Sequence, residues 1–300
     1  MQRPFAPARL GTAAALLALG AAAQAGPALD RIAADKKIRL GMREDAPPFS
    51  FITDGHPAGF SVELCGLMAG AILETSKLQS LDGTFVPVDS ENRFEALAKG
   101  DIDVLCGATT ATLTRRETVS FSIPTFSTGV GAVVARDAPD AVKQVLLSLQ
   151  PETLSKADFE KALSGKSVGA LAGTTAADWL ETGPLSEIDG IEVKTFGDHA
   201  AGIAAAKDGT IGAYFADKAL IQGTLSVTGQ TDSVEISPTT FTHEPYALAL
   251  PRDDEDLRLV VDRALSHLYR SGAIFKLYER YFGKPNAQAV LFYNLVALPD

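Results

Sequence analysis

Apolar positions along this chain follow two spacings that take turns. KIRLGM, TFVPV and DIDVLCG are short apolar runs of strand length, whereas FSVELCGLMAGAILE and RFEALAKG place apolar residues three and four apart and read as helices. The second helix stops on Gly100, a residue that takes the left-handed backbone of a helix end without strain. Strands alternating with helices predict an α/β sheet wound with crossover helices.

After Arg136 the pattern starts again: a helix-like AVKQVLLSL, the strand KSVGAL, a GTT turn into the helix AADWL, the strand IEVKTF, the helix HAAGIAAAKDG, and the strand IGAYF running into DKALIQG. A second α/β unit follows from this repeat of the pattern. From Tyr246 one more strand-like run, YALALPR, leads into LRLVVDRALSHLYRSGAIFKLYERYFG, two helices divided at Ser271-Gly272. Two helices after the last strand need a sheet to cover, and the economical arrangement returns them to the first unit. The chain would then cross between units near 129–136 and again near 243–250. The expected division is a leader at 1–25, a first lobe of 26–134 plus 245–300, and a second lobe of 135–244. In folds of this kind small ligands bind in the cleft that the strand carboxyl ends face.

The leader has Arg3 and Arg9, an apolar run over 10–23 and Ala23-Gln24-Ala25, the small-x-small form that signal peptidase requires. Its run is shorter than the roughly 20 residues that span a bilayer, and no Cys marks a lipid anchor. A secretory signal peptide and export as a free soluble protein are expected.

Removing 1–25 takes away two of the 27 Lys and Arg and none of the 37 Asp and Glu, so the remaining chain carries −12. That sign argues against nucleic acid and anionic membranes as partners. Cys65 and Cys106 remain, either as a disulfide or as two buried thiols. If bridged, they close a loop of about 40 residues, worth roughly 4 kcal/mol of chain entropy.

Candidate chemistry is sparse. The chain has no G-x-S-x-G, no H-E-x-x-H and no phosphate-binding loop, so no cofactor, metal or catalytic role is expected. CGATTATLTRR, at 106–116, sets two arginines behind hydroxyl and small residues and by itself suggests an anion site. GTT at 173–175, between a strand and a helix, would aim the amides of Thr174 and Thr175 at an anion with the helix dipole behind them; a plain N-cap is compatible with that.

GMREDAPPFSF, GFSVELC, SENRFEALAKGDIDVLCGATTATLTRRETVSFSIP, GKSVGALAGTT and LYRSGAIFKLYERYFG, in that order, resemble the family 3 periplasmic solute-binding proteins of amino-acid ABC importers. R-E-D-x-P-P-F, S-x-N-R, C-G-x-T-T and the D-H pair most resemble the glutamate/aspartate-binding branch. The resemblance implies a type II two-lobed fold with two crossover hinge strands. It implies a monomer that takes glutamate or aspartate in the cleft, closes by hinge motion and delivers it to a permease in the inner membrane.

By the same resemblance, Arg115 clamps the ligand α-carboxylate with Thr110 beside it, helped by Thr174 and Thr175. Asp217 takes the ammonium with the carbonyl of Ala108, where acidic-ligand relatives often carry Ser. Arg43, Arg93 and His199, with Ser90, surround the distal carboxylate. Arg suits a carboxylate because its planar fork donates two parallel hydrogen bonds and stays charged. Other readings remain for single residues: a solvated charge for Arg115, a helix cap for Asp217 or His199, and an ion pair with Glu44 or Asp45 for Arg43. Arg116 should be a surface charge. Phe49 and Phe51 pack under the ligand or in the core. Residues 286–300 resemble an accessory tail on the first lobe. Glutamine, asparagine or a dicarboxylate are alternative ligands, and a cyclohexadienyl dehydratase-like enzyme is a further one.

Overall fold

The computed structural model describes residues 26–300, so the predicted signal peptide lies outside the described residues. Two five-stranded mixed sheets, each flanked by helices, form two lobes. In the first, the strands run in the order Asp82–Pro87, Lys37–Met42, Val104–Cys106, Ala249–Pro251, Val119–Phe121. The first three are parallel and the last two antiparallel additions. In the second the order is Glu192–Phe196, Ser167–Leu171, Ala213–Asp217, Val130–Ala135, Val234–Ile236, again with three parallel strands and antiparallel pairing at the crossover strand.

Val130–Ala135 lies wholly in the second sheet, although the sequence division kept most of it in the first lobe. Its burial on every position suits either sheet, and only its long-range pairing with Ala213–Asp217 decides. YALALPR likewise is not one strand. Glu244–Tyr246 pairs with Phe126–Thr128 in a two-stranded hinge ribbon, and Ala249–Pro251 joins the first sheet, so the run breaks where it changes partner. Gly129, beside this ribbon, lets the carbonyl of Thr242 come so near that a Cβ would meet it at 1.9 Å.

The first lobe packs the helices Phe60–Thr75 and Glu255–Arg270 over its sheet around Phe49, Phe60, Met68, Leu248 and Leu265. Ser271-Gly272 separates Glu255–Arg270 from Ile274–Phe282, with Gly272 at φ 73°. Cys65 and Cys106 form a disulfide that ties Phe60–Thr75 to the strand end at Cys106. Phe49 is fully buried among the rings of Phe60, Phe126, Tyr246 and Phe282 and belongs to the core. The last helix, Ala287–Val296, returns to this lobe, where the Tyr293 hydroxyl donates to the Thr125 carbonyl at 3.0 Å. Among the described residues no helix is long and apolar enough to cross a membrane.

Candidate ligand site

Every candidate segment follows the carboxyl end of a parallel strand: Arg43 after Lys37–Met42, Ser90 and Arg93 after Asp82–Pro87, Ala108 to Arg115 after Val104–Cys106. In the second lobe Thr174 and Thr175 follow Ser167–Leu171, His199 follows Glu192–Phe196, and Asp217 closes Ala213–Asp217. Parallel strands point their ends the same way, so the two sheets bring these residues to one interlobe cleft.

The lobes meet across that cleft. Arg93 Nη2 donates to the Gly173 carbonyl at 2.9 Å. A Cβ on Gly173 would fall 2.6 Å from the Ser90 carbonyl oxygen, and one on Gly223 would fall 2.2 Å from that of Pro47. These two glycines let first-lobe backbone approach the second lobe.

Arg93 is 3% exposed, and its Nε and Nη1 have no partner among the described residues. Burial first, then the nearby guanidiniums of Arg115 and Arg43, brings its pKa down to about 9. Its guanidinium and that of Arg115 both lie over the ring of Phe94, at 4.6 and 5.0 Å. Arg115 Nη1 donates to the Thr110 carbonyl at 2.9 Å, while Arg116 is exposed. Arg43, buried, donates through Nε and Nη2 to Asp45 Oδ1 and Oδ2 at 2.8 and 2.6 Å, so that edge of its guanidinium is taken.

Second-lobe residues take different roles. Thr174 is the N-cap of Thr175–Thr182, accepting from the Ala177 amide at 3.3 Å. His199 does not cap its helix, because Asp198 does. Its Nδ1 lies 2.9 Å from the Tyr214 hydroxyl, and Nε2 is buried without a partner among the described residues. Burial, reinforced by Arg43, lowers its pKa to about 3, so the ring is neutral. Asp217 makes no side-chain cap to Lys218–Thr228. Its Oδ2 accepts from the Tyr246 hydroxyl and Oδ1 is buried and unpartnered. Burial, then the neighbouring Glu244 carboxylate, raises Asp217 to about 8.

Ser90 is buried at the interlobe contact and Ala108 is half-buried against the first-lobe core. Glu244 was not anticipated. Its Oε2 accepts from the hydroxyls of Thr110 and Thr175, each at 2.6 Å, and Oε1 from Thr242 at 3.1 Å. One hinge carboxylate thus holds a hydroxyl from each lobe, and these hydroxyls already have an acceptor. An acidic residue opening the apolar run EPYALAL was the signal that could have drawn attention to it. Asp45, Phe94, Tyr214 and Tyr246 were likewise missed as parts of the site.

Buried unpartnered atoms cost about 1–3 kcal/mol each. Arg93 Nε and Nη1, His199 Nε2 and Asp217 Oδ1 together form a set of cationic donors, one neutral imidazole nitrogen and one acid acceptor. Such a set can take a zwitterion with a polar side chain, its ammonium on the acid and an anionic or carbonyl oxygen on the guanidinium.

Comparison with known proteins agrees with the fold. The chain is 28% identical over 94% of its length to the L-glutamate/L-aspartate-binding protein of Pseudomonas aeruginosa, covering 89% of that protein. It is 25% identical to the glutamate/aspartate import solute-binding protein of Escherichia coli, over 88% of this chain and 82% of the other. An ancestral arginine-binding protein, solved bound to arginine, superposes with a TM-score of 0.68 at 28% identity, over 83% of this chain and 99% of that one. Residues 38–284 match the model of the bacterial extracellular solute-binding proteins, family 3, and the chain belongs to that family.

Proposed function

We propose that this protein is a periplasmic binding protein that captures an acidic amino acid, glutamate or aspartate, between its lobes and delivers it to an ABC permease in the inner membrane. The lobes run through about residue 128 and from about 245 in the first, with the second between. The observation that carries the ligand reading is the set of buried, unpartnered atoms. Asp217 Oδ1 suits an ammonium, and Arg93 Nε and Nη1 with His199 Nε2 suit a side-chain carboxylate.

Arg115 supplies the fork for the α-carboxylate beside Thr110, with the amides of Thr174 and Thr175 opposite. The hydroxyls of Thr110 and Thr175 remain with Glu244. Because the donors come from both lobes, a bound ligand bridges them and favours the closed form. Arg43 and Ser90 line the distal end, and Ala108 offers its carbonyl near the ammonium. No step of bond making enters this reading: the protein binds and releases.

A second reading has one observation in its favour. Asp45 takes the Nε–Nη2 edge of Arg43, whereas Arg93 Nε and Nη1 are unpartnered, and a side-chain amide such as that of glutamine can accept from them. The test is calorimetric titration of residues 26–300, unfolded and refolded to remove carried-over ligand, against glutamate, aspartate, glutamine, asparagine, arginine and succinate. Glutamate or aspartate should bind most tightly. Preference for arginine would overturn the distal assignment, and preference for succinate would overturn the role of Asp217.

A further inference from the structure

The distal end of the cleft contains a carboxylate of the protein's own. Arg43 is 3% exposed, and both arms of its fork go to Asp45, whose side chain is 34% exposed. The turn that carries them is fixed from the other side: the Arg43 amide donates to Ser50 Oγ at 2.9 Å and that hydroxyl donates to the Arg43 carbonyl at 2.8 Å. Asp45 also lines a groove of about 370 Å3 with Glu44, Asp89, Ser90 and Asp198. Ser90 is a distal-end residue and Asp198 precedes His199, so Asp45 extends from the distal end to an acidic mouth.

Charge at this end can be counted from the side chains. Arg43 and Arg93 are cations, Asp45 is an anion paired to the first, and His199 is neutral, while Asp89 lies near enough to Arg93 to favour its charged form, so the excess of positive charge at this end is small. A ligand carboxylate arriving beside Arg93 meets the field of Asp45 as well as that of the arginines. Discrimination between a carboxylate and a carboxamide of the same shape depends on that balance, since shape gives no help.

We infer that Asp45 is a specificity-determining residue, holding Arg43 by a bidentate pair and thereby weakening the preference of the cleft for a side-chain carboxylate over a carboxamide. It acts through Arg43 and is in that sense a positioning residue. The inference rests on the reading of Arg93 and His199 as the distal end of the ligand site.

The test compares residues 26–300 as wild type, Asp45→Asn, Asp45→Ala and Asp45→Glu, each titrated calorimetrically with glutamate and with glutamine. The ratio of glutamate to glutamine affinity should rise about tenfold in the Asn and Ala variants, as expected for removing one partly screened charge a few ångströms from the ligand. The Glu variant, which keeps the charge, should keep the wild-type ratio. An unchanged ratio in both neutral variants, or an equal loss for both ligands, would overturn the inference while leaving the acidic-ligand reading intact if wild type binds glutamate. Should wild type bind only glutamine, that reading falls. A gain of glutamate binding in Asp45→Asn would then still uphold the role of Asp45, and no gain would overturn it.

Discussion

The two lobes contribute opposite kinds of chemistry to the cleft. The first brings cations: Arg43, Arg93 and Arg115, close enough that Arg43 and Arg115 lower the pKa of Arg93. The second brings a neutral imidazole, a helix start and the acid Asp217. In the proposed complex an anionic ligand has its strongest partner in the first lobe, and its ammonium is satisfied by the second. On that proposal closure is coupled to the ligand ammonium.

That contrast can be broken from either side, and the largest effect should come from the first lobe. Arg115→Ala should weaken binding of any amino acid by about two to three orders of magnitude, the cost of removing one partner of a buried charge pair, about 3–4 kcal/mol. Calorimetric titration measures it, and a loss below tenfold would remove Arg115 from the α-carboxylate.

Asp217→Asn should cost about 10- to 150-fold, the range for a hydrogen bond to a charged group. The wild-type pH dependence sharpens this prediction. Ligand-free Asp217 is raised to about 8 by burial and by Glu244, so below that pH it holds a proton, with Arg115 and the Tyr246 hydroxyl as its other neighbours. A ligand ammonium at Oδ1 favours the ionised form and expels that proton. Affinity should rise between pH 6 and 8, by at most about tenfold per unit, and level off above. Titration in buffers of differing ionisation enthalpy should give close to one proton released per ligand at pH 7. Affinity constant across this range would contradict the assignment.

Closure itself is tested at Gly223, where an added Cβ would lie 2.2 Å from the Pro47 carbonyl oxygen. Gly223→Ala should weaken binding about tenfold, as small overpacking does, and small-angle scattering of the liganded variant should give a larger radius of gyration than liganded wild type. At the bottom of the scale, Arg116→Ala should stay within about threefold of wild type, because an exposed charge contributes little. A loss equal to that of Arg115→Ala would mean the two arginines had been assigned in the wrong order.

Local signals in the sequence were the legible ones. Strand and helix alternation and the break at Ser271-Gly272 depend on a few neighbouring residues, and the fold has them as read. Lys156–Leu163 has a full capping box between Ser155 and Asp158, a local signal that the periodicity reading passed over. The sheet that takes Val130–Ala135 and the partners of Glu244 depend on pairing across the chain. Thr110 lies 134 residues from Glu244 and Thr175 lies 69, so no window along the sequence shows the three hydrogen-bonded together. The pair of Arg43 with Asp45, only two residues apart, was visible as a choice between ion pair and ligand contact. Geometry gives the ion pair, and the ligand contact passes to a question of competition.

In the proposed complex one ligand spans the cleft with its α-carboxylate on Arg115, its ammonium on Asp217 and its side-chain carboxylate on Arg93 and His199. A crystal structure of residues 26–300 grown with glutamate tests it most directly. The side-chain carboxylate should lie within about 3 Å of Arg93 Nε or Nη1 and of His199 Nε2, with the ammonium on Asp217 Oδ1. A glutamate bound in the reverse sense, with its α-carboxylate on Arg93 and its side chain towards Arg115, would contradict it.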